Sequence, residues 1–339
     1  MHDIALFFAA GESLYPGSVL LLCVLAASPI VRNSWQRRVR NILAWLGLCL
    51  MVVASPPVSP LTILFFILLF LVWMIYSNRT AGATRESGIR PVAAILLTVL
   101  TVVVTRTEYL QRRMPHVSGA RADHLVVIGD SISAGIDPAI APWPTVFQTM
   151  TNIPVKNLAL PGAEVNEGPY MAAKVNPEDH LIVIELGGND LLANEPGTRF
   201  EKYLGETLQQ LARPDRTLVM FELPLLPHKT NYGEIQRRLA AKYHVWLIPK
   251  RKFIGVLRGA DATTDGIHLS SEGARHMSLL VKEVLAPVLK PLAQINFECD
   301  PRRAASIWPA APGSIDLLRY DCHPHPGMDA ALIVVLALR

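Results

Sequence analysis

Four short segments between residues 129 and 268 carry residues whose types suit acyl transfer. They are GDS, NLALPG, GGND and DGIH, which contain Ser131, Gly162, Asn189 and the pair Asp265 and His268. A serine hydroxyl attacks an acyl carbon when a histidine removes its proton and an aspartate orients the imidazole. The backbone N–H groups of Ser131 and Gly162 and the side-chain amide of Asn189 could stabilise the resulting oxyanion. Together the five residues predict a nucleophilic serine site.

Each segment has a simpler explanation when it is taken alone. A serine after a strand often caps a helix, and glycine and asparagine are common in turns. An Asp and a His three residues apart could also bind a metal. No second cluster of ligands with metal spacing accompanies Asp265 and His268, so we expect neither a metal nor a cofactor.

The elements that would position these residues are short apolar runs alternating with amphipathic stretches. The predicted strands are 124–128, 155–160, 181–186, 217–223 and 245–248, and the predicted helices are 141–151, 199–213, 231–243 and 270–291. Near-continuous apolar strands joined by helices are typical of a parallel sheet covered on both faces. In such sheets the working residues follow the carboxyl ends of the strands. Ser131, Gly162 and Asn189 do so, and Asp265 and His268 precede the last helix, so all should meet at one edge.

The four segments, in this order, resemble the blocks of the SGNH/GDSL hydrolase superfamily. Within it, the stretches GDSISAG, APWPTVF, ELGGNDLL and DGIH are similar to those of the bacterial multifunctional thioesterase/lysophospholipase (arylesterase-like) group. The resemblance covers roughly residues 124–290 and implies a flavodoxin-like three-layer α/β/α sandwich with a parallel five-stranded sheet. It also implies a carboxylic ester hydrolase with a Ser131–His268–Asp265 triad and an oxyanion hole of Ser131, Gly162 and Asn189. Pro161 departs from the usual second block, so we expect a different rim at the acyl site.

The N-terminal part of the chain is much more apolar than the rest. Runs of apolar residues at 18–31, 41–54, 61–76 and 91–105 predict about four transmembrane helices. We therefore divide the chain into a transmembrane region at 1–105, a linker at 106–122, a hydrolase domain at 123–295 and a C-terminal tail of unassigned structure at 296–339. The usual members of the thioesterase/lysophospholipase group lack such membrane segments. The resemblance therefore does not decide the substrate.

Arginines between the apolar runs predict the orientation. Two predicted loops, 32–40 and 78–90, are rich in arginine, whereas 55–60 has no Lys or Arg. Such loops stay in the cytoplasm, so the residues after 106 should lie on the other side. A signal peptide is not favoured, because Glu12 precedes the first run and no basic stretch does. We expect a multi-pass protein of the bacterial inner membrane, with the hydrolase domain on the periplasmic (extracytoplasmic) side.

Charge and cysteines restrict the partners. The net charge of +4 is not organised as a basic face, so no nucleic-acid partner is expected. Cys23 and Cys49 should be small buried apolar side chains, whereas Cys299 and Cys322 could pair outside the cytoplasm. His228 lies on a predicted loop that could line the substrate cleft.

The expected partners are the lipid bilayer and an ester substrate, whether lipid, thioester or acetylated glycan. A first alternative is an O-acetyl esterase or O-acetyltransferase that acts on envelope polysaccharide with the same triad. A second is a membrane scaffold whose hydrolase domain is a catalytically silent binding module, against which the intact Ser131, Asn189, Asp265 and His268 argue.

Overall fold

The computed structural model describes residues 2–78, 88–119, 121–259 and 261–290. These residues belong to one compact unit, Met1–Lys290. The C-terminal tail, the possible Cys299–Cys322 pair and most of the predicted 78–90 loop lie outside the described residues.

Within the described residues, five α-helices precede the first strand. They are α1 His2–Ala9, α2 Leu14–Ala27, α3 Ser34–Val53, α4 Pro60–Asn78 and α5 Ile89–Gln111. Two of them, α4 and α5, are long and apolar enough to cross a membrane, with mean hydropathies of 2.3 and 1.8 over their most apolar stretches. Two such helices are weak evidence of membrane association, because a buried helix of a soluble protein has the same length and composition. Here, however, only 28% and 22% of those stretches are buried.

The outer faces of these helices are apolar. Phe65 on α4 and Val99 on α5 are 52% and 54% exposed, and other large apolar side chains continue this surface. Cys23 and Cys49 are also exposed, so their expected burial is wrong. The expectation assumed that the apolar runs pack on all sides, whereas each helix packs along one face only.

The helix α3 begins inside the segment that we predicted to be an arginine-rich loop. The Asn33 side chain accepts the Gln36 N–H at 2.7 Å, and the Gln36 side chain accepts the Asn33 N–H at 3.3 Å. Because of this reciprocal capping the helix begins at Ser34, before the arginines. The arginines of residues 37–40 therefore lie on its first turns. Arg40 is buried and donates to the Asn78 side chain at the end of α4.

The five predicted strands form one parallel sheet. They are β1 Leu125–Gly129, β2 Val155–Asn157, β3 Leu181–Glu185, β4 Thr217–Phe221 and β5 Trp246–Ile248. Their order across the sheet is β2-β1-β3-β4-β5. Every residue of β1, β3 and β4 is buried, which explains why these strands show apolar runs rather than alternation. The predicted sheet is confirmed, although β2 ends at Asn157 rather than at residue 160.

Helices cover both faces of this sheet. They are α6 Ser131–Ala134, α7 Trp143–Thr151, α8 Gly168–Ala172, α9 Gly188–Ala193, α10 Gly197–Leu211, α11 Thr230–Lys242, α12 Lys250–Leu257 and α13 Ser271–Leu285. One apolar core packs α8, α10 and α11 against the sheet, and the other packs α7, α12 and α13 against the opposite face. The three-layer arrangement is therefore as expected, although the last helix ends at Leu285, six residues short of its predicted end at residue 291.

A buried ion cluster joins the end of α5 to the sheet. Glu108 on α5 and Glu222 after β4 both bind the guanidinium of Arg237 on α11. Lys250, at the start of α12, lies 3.6 Å from Glu108 and donates its backbone N–H to Glu222 at 3.1 Å. We call these four residues the junction cluster.

Replacing Arg237 with methionine should destabilise the protein by about 3–5 kcal/mol, because two buried carboxylates lose their shared partner. The measurement is the melting temperature of the detergent-purified chain. Arg238→Met is the matched control, because Arg238 is half-exposed and binds Glu201 and Glu234 at the surface. Its loss should cost less than about 1 kcal/mol. Equal melting shifts in the two variants would contradict a junction held by buried charge.

Candidate active site

Ser131 is presented by a sharp turn after β1. Asp130 caps the short helix α6, and its Oδ1 accepts the Ile132 N–H at 2.9 Å. A Cβ on Gly129 would come within 2.8 Å of the Glu185 carbonyl oxygen, so only glycine fits between β1 and β3 there. Ser131 is the first residue of α6, and its N–H therefore lies at a helix N-terminus, where backbone N–H groups lack intrahelical acceptors.

The structure brings Ser131, His268 and Asp265 into a hydrogen-bonded row. Ser131 Oγ lies 3.0 Å from His268 Nε2, and His268 Nδ1 lies 2.6 Å from Asp265 Oδ2. The other carboxylate oxygen of Asp265 accepts the backbone N–H groups of Ile267 and His268. The His268 hydrogen bond and these two backbone N–H groups lower the pKa of Asp265 to about 2. Asp265 is therefore ionised at neutral pH and can hold the imidazole with Nδ1 protonated.

The two other predicted residues, Gly162 and Asn189, lie next to each other, close to Asp130. Gly162 has a φ of +74°, which glycine adopts without strain, and a Cβ there would meet nothing within 4 Å. Asn189 Nδ2 donates to the Ala163 carbonyl oxygen at 2.8 Å and lies 3.5 Å from Asp130 Oδ2. The amide of Asn189 is thus held against the Gly162 turn and close to the residue before the serine.

A pair of buried carboxyl groups lies behind Ser131, and sequence reasoning missed it. Glu185, the last residue of β3, forms a hydrogen bond with Asp130 and accepts the Ser133 hydroxyl at 2.9 Å. Burial and the neighbouring Asp130 raise the pKa of Glu185 well above its usual value and so favour its protonated form. Trp143 Nε1 donates to Ser133 Oγ at 3.0 Å and extends the network into the core. The sequence signal was a glutamate ending an otherwise apolar strand.

Asp190 links the Asn189 segment to the Gly162 turn. It is fully buried, and its Oδ2 accepts the Val165 N–H at 2.9 Å. Burial raises the pKa of Asp190 to about 6, against the opposing attraction of Arg199, 3.8 Å away. The folded state therefore favours the protonated carboxyl.

Asp190 should make the protein less stable as pH rises. A raised pKa in the folded state contributes stability that is complete below the unfolded value near 4 and is lost as pH rises through about 6. The loss is at most about 3 kcal/mol. Melting temperatures of the wild type and Asp190→Asn at pH 4.5 and 7.5 test this, since only the wild type should lose this contribution. Parallel pH dependences would contradict it.

His228 does not line the cleft beside Ser131. That cleft is lined by Ile132, Ile136, Pro142 and Leu269 together with His268. His228 and Thr230 instead line a separate apolar cavity of about 180 Å³, which also contacts the C-terminal end of α3 and the N-terminal end of α4. Within the described parts of the chain, no group of three His, Cys, Asp or Glu residues could hold a metal ion.

Comparisons with known proteins identify the domain. Residues 127–276 match the family described as GDSL-like Lipase/Acylhydrolase family. The chain is 29% identical over 192 residues to thioesterase 1/protease 1/lysophospholipase L1 of Escherichia coli strain K12, which covers 51% of this chain and 86% of that protein.

Solved structures are similar over about half of the chain. The crystal structure of TesA has a TM-score of 0.42 at 24% identity and covers 49% of this chain and 99% of its own. That of the psychrotrophic esterase EstA from Pseudoalteromonas sp. has a TM-score of 0.42 at 15% identity and covers 49% and 100%. The family match and the E. coli relative together show that the chain carries a GDSL/SGNH hydrolase domain and is a carboxylic ester hydrolase.

Proposed function

We propose that this protein is a membrane-anchored serine ester hydrolase that works through an acyl-Ser131 intermediate. The observation that carries the proposal is the hydrogen-bonded row Ser131–His268–Asp265, with successive distances of 3.0 and 2.6 Å. His268 Nε2 takes the hydroxyl proton as Ser131 Oγ attacks the ester carbon. The same nitrogen then protonates the departing alkoxide, and the acyl group stays on Ser131.

Hydrolysis repeats these steps with water. His268 removes a proton from a water molecule, which attacks the acyl carbon, and the Ser131 oxygen leaves with the proton. Asp265 stays ionised throughout and stabilises the imidazolium. Backbone N–H groups of Ser131 and Gly162 and the Asn189 amide are our proposed donors to the oxyanion of both tetrahedral intermediates.

Asn189→Ala should lower kcat by about 10²–10³-fold with a smaller change in KM, because the donor acts mainly on the developing oxyanion. Steady-state kinetics on a short p-nitrophenyl ester measure this. Asn194→Ala is the control, since Asn194 ends α9 and its side chain accepts from Lys229 rather than facing Ser131. If the control loses as much activity as Asn189→Ala, the oxyanion role is wrong.

Membrane anchoring is the second part of the proposal. It is supported by the exposed apolar faces of α4 and α5. The arginines of residues 37–40 and Arg90 lie at the ends of α3 and α5 that are remote from the junction cluster. From the positive-inside rule we propose a multi-pass inner-membrane protein whose hydrolase domain lies on the periplasmic side. The proposed division keeps 1–105 as the membrane region, 106–122 as the linker and 123–295 as the hydrolase domain.

Assays of the detergent-purified chain on lysophospholipid, acyl thioester and acetylated glycan test the substrate. We expect turnover of the lipid ester or thioester that is lost in Ser131→Ala. Turnover of acetylated glycan alone would favour the polysaccharide O-acetyl esterase or transferase. Ser131-independent turnover would contradict the proposed mechanism.

A further inference from the structure

The path of the chain from α5 to β1 decides which edge of the sheet faces the proposed membrane. Glu108, near the end of α5, lies in the junction cluster. By Gly119 the chain has reached the opposite edge, because a Cβ there would lie 2.1 Å from Oγ1 of Thr217, the first residue of β4. The Ala122 N–H then donates to the Val288 carbonyl oxygen, just beyond the end of α13. The strand β1 therefore runs back toward the end of α5 and delivers Ser131 on the membrane side.

The N-terminal helices contact that same edge. The Leu225 N–H, four residues beyond β4, donates to the Ala9 carbonyl oxygen at 3.2 Å. The Ser55 hydroxyl, between α3 and α4, donates to the Leu226 carbonyl oxygen at 3.0 Å. The nucleophile follows β1, which lies two strands from β4, or about 10 Å across the sheet. Ser131 is thus close to the surface from which the apolar helices leave the domain.

Three exposed aliphatic side chains lie close in the chain to residues of the candidate active site. They are Ile136, Leu192 and Ile267, with exposed fractions of 51%, 58% and 44%. Ile136 lines the cleft of Ser131, Leu192 lies one turn beyond Asn189, and Ile267 precedes His268. Single exposed aliphatic residues are common, but these three lie on segments that carry active-site residues or line the cleft, and we treat them as an apolar rim.

Exposed cations lie beside the same junction. Arg106 and Arg113 flank the end of α5, and Lys252 lies in the first turn of α12. Basic side chains next to membrane helices can bind the phosphate groups of phospholipids, and the apolar rim can contact their acyl chains.

We propose that the mouth of the active site rests on the bilayer, with Ile136, Leu192 and Ile267 inserted among the lipids. The enzyme then draws ester-linked acyl chains directly from membrane lipids. This inference rests on the proposed function, because it requires both the membrane helices and the serine site.

Depth-dependent quenching in the full chain tests the insertion. The four cysteines are replaced, single cysteines are placed at Leu192 and Asp215, and an environment-sensitive fluorophore is attached to each. Asp215 is the control because it is half-exposed just before β4, at the opposite edge. In phosphatidylcholine vesicles with spin-labelled acyl chains, we expect strong quenching at position 192 and none at 215. Equal quenching at the two positions would overturn the proposal.

A second measurement separates this inference from the esterase assignment. Leu192→Asp should lower the ratio of vesicle-lipid to soluble-ester turnover by at least about tenfold, since one buried leucine contributes that much to membrane binding. Leu279→Asp on α13, where the leucine is 40% exposed, should leave the ratio unchanged. Equal ratios in both variants would overturn the bilayer contact. If the wild type does not turn over the soluble ester at all, the proposed function itself is wrong.

Discussion

Replacing Ser131 with alanine is expected to lower kcat on any ester by on the order of 10⁵–10⁶-fold, and His268→Ala by a similar factor. Neither residue can act alone, because the hydroxyl is not a nucleophile at neutral pH without a base. The double variant should therefore be no slower than either single variant. Steady-state assays of all three on one soluble ester measure this non-additivity.

His276→Ala provides the matched control for His268→Ala. His276 lies on α13, and its Nε2 lies 3.0 Å from Glu272 Oε1 at the surface. Its replacement should leave kcat within about twofold, because isolated surface pairs contribute little. Additive losses from Ser131→Ala and His268→Ala would show that the two residues act separately, against the proposed mechanism.

The second large effect is expected for Asp265→Asn, which should lower kcat by on the order of 10³–10⁴-fold. Asparagine can keep the backbone hydrogen bonds of the Asp265 loop, but its amide would face His268 Nδ1 as a donor. His268 would then carry its proton on Nε2 and could not accept the proton of Ser131. Because Asp265 is half-exposed, water can partly replace its hydrogen bond to His268. The loss of kcat should therefore lie toward the lower end of this range.

The pH dependence of the Asp265→Asn loss follows from the lowered pKa of Asp265. A carboxyl with a pKa of about 2 is ionised throughout the range from pH 4 to 9, so its contribution is complete there. The ratio of wild-type to variant kcat at pH 5 and pH 8 measures this. The ratio should be similar at both values, and a collapse of the ratio at pH 5 would mean that Asp265 titrates in that range.

The location of the candidate site residues at one edge of the sheet was predictable, because it follows from strand direction. In a parallel sheet the segments after β1, β2 and β3 must lie at one edge, so order along the chain was enough to place Ser131, Gly162 and Asn189. Asp265 and His268 were predictable from their spacing in one loop.

Other features depend on packing and could not be predicted from local patterns. The raised pKa of Glu185 comes from its burial beside Asp130, a residue that is far from it in the sequence. The helices α8, α9 and α12 have too few turns for a clear apolar period. The start of α3 was predicted wrongly because the arginines suggested a loop, whereas the capping box of Asn33 and Gln36 decides it.

Covalent trapping of the nucleophile tests the central claim most directly. The full chain in detergent is treated with a fluorophosphonate, and the modified residue is identified by mass spectrometry. We predict one adduct on Ser131, formed in step with the loss of esterase activity and absent in Ser131→Ala. Loss of activity with the adduct on another residue, or full activity with Ser131 modified, would contradict the account.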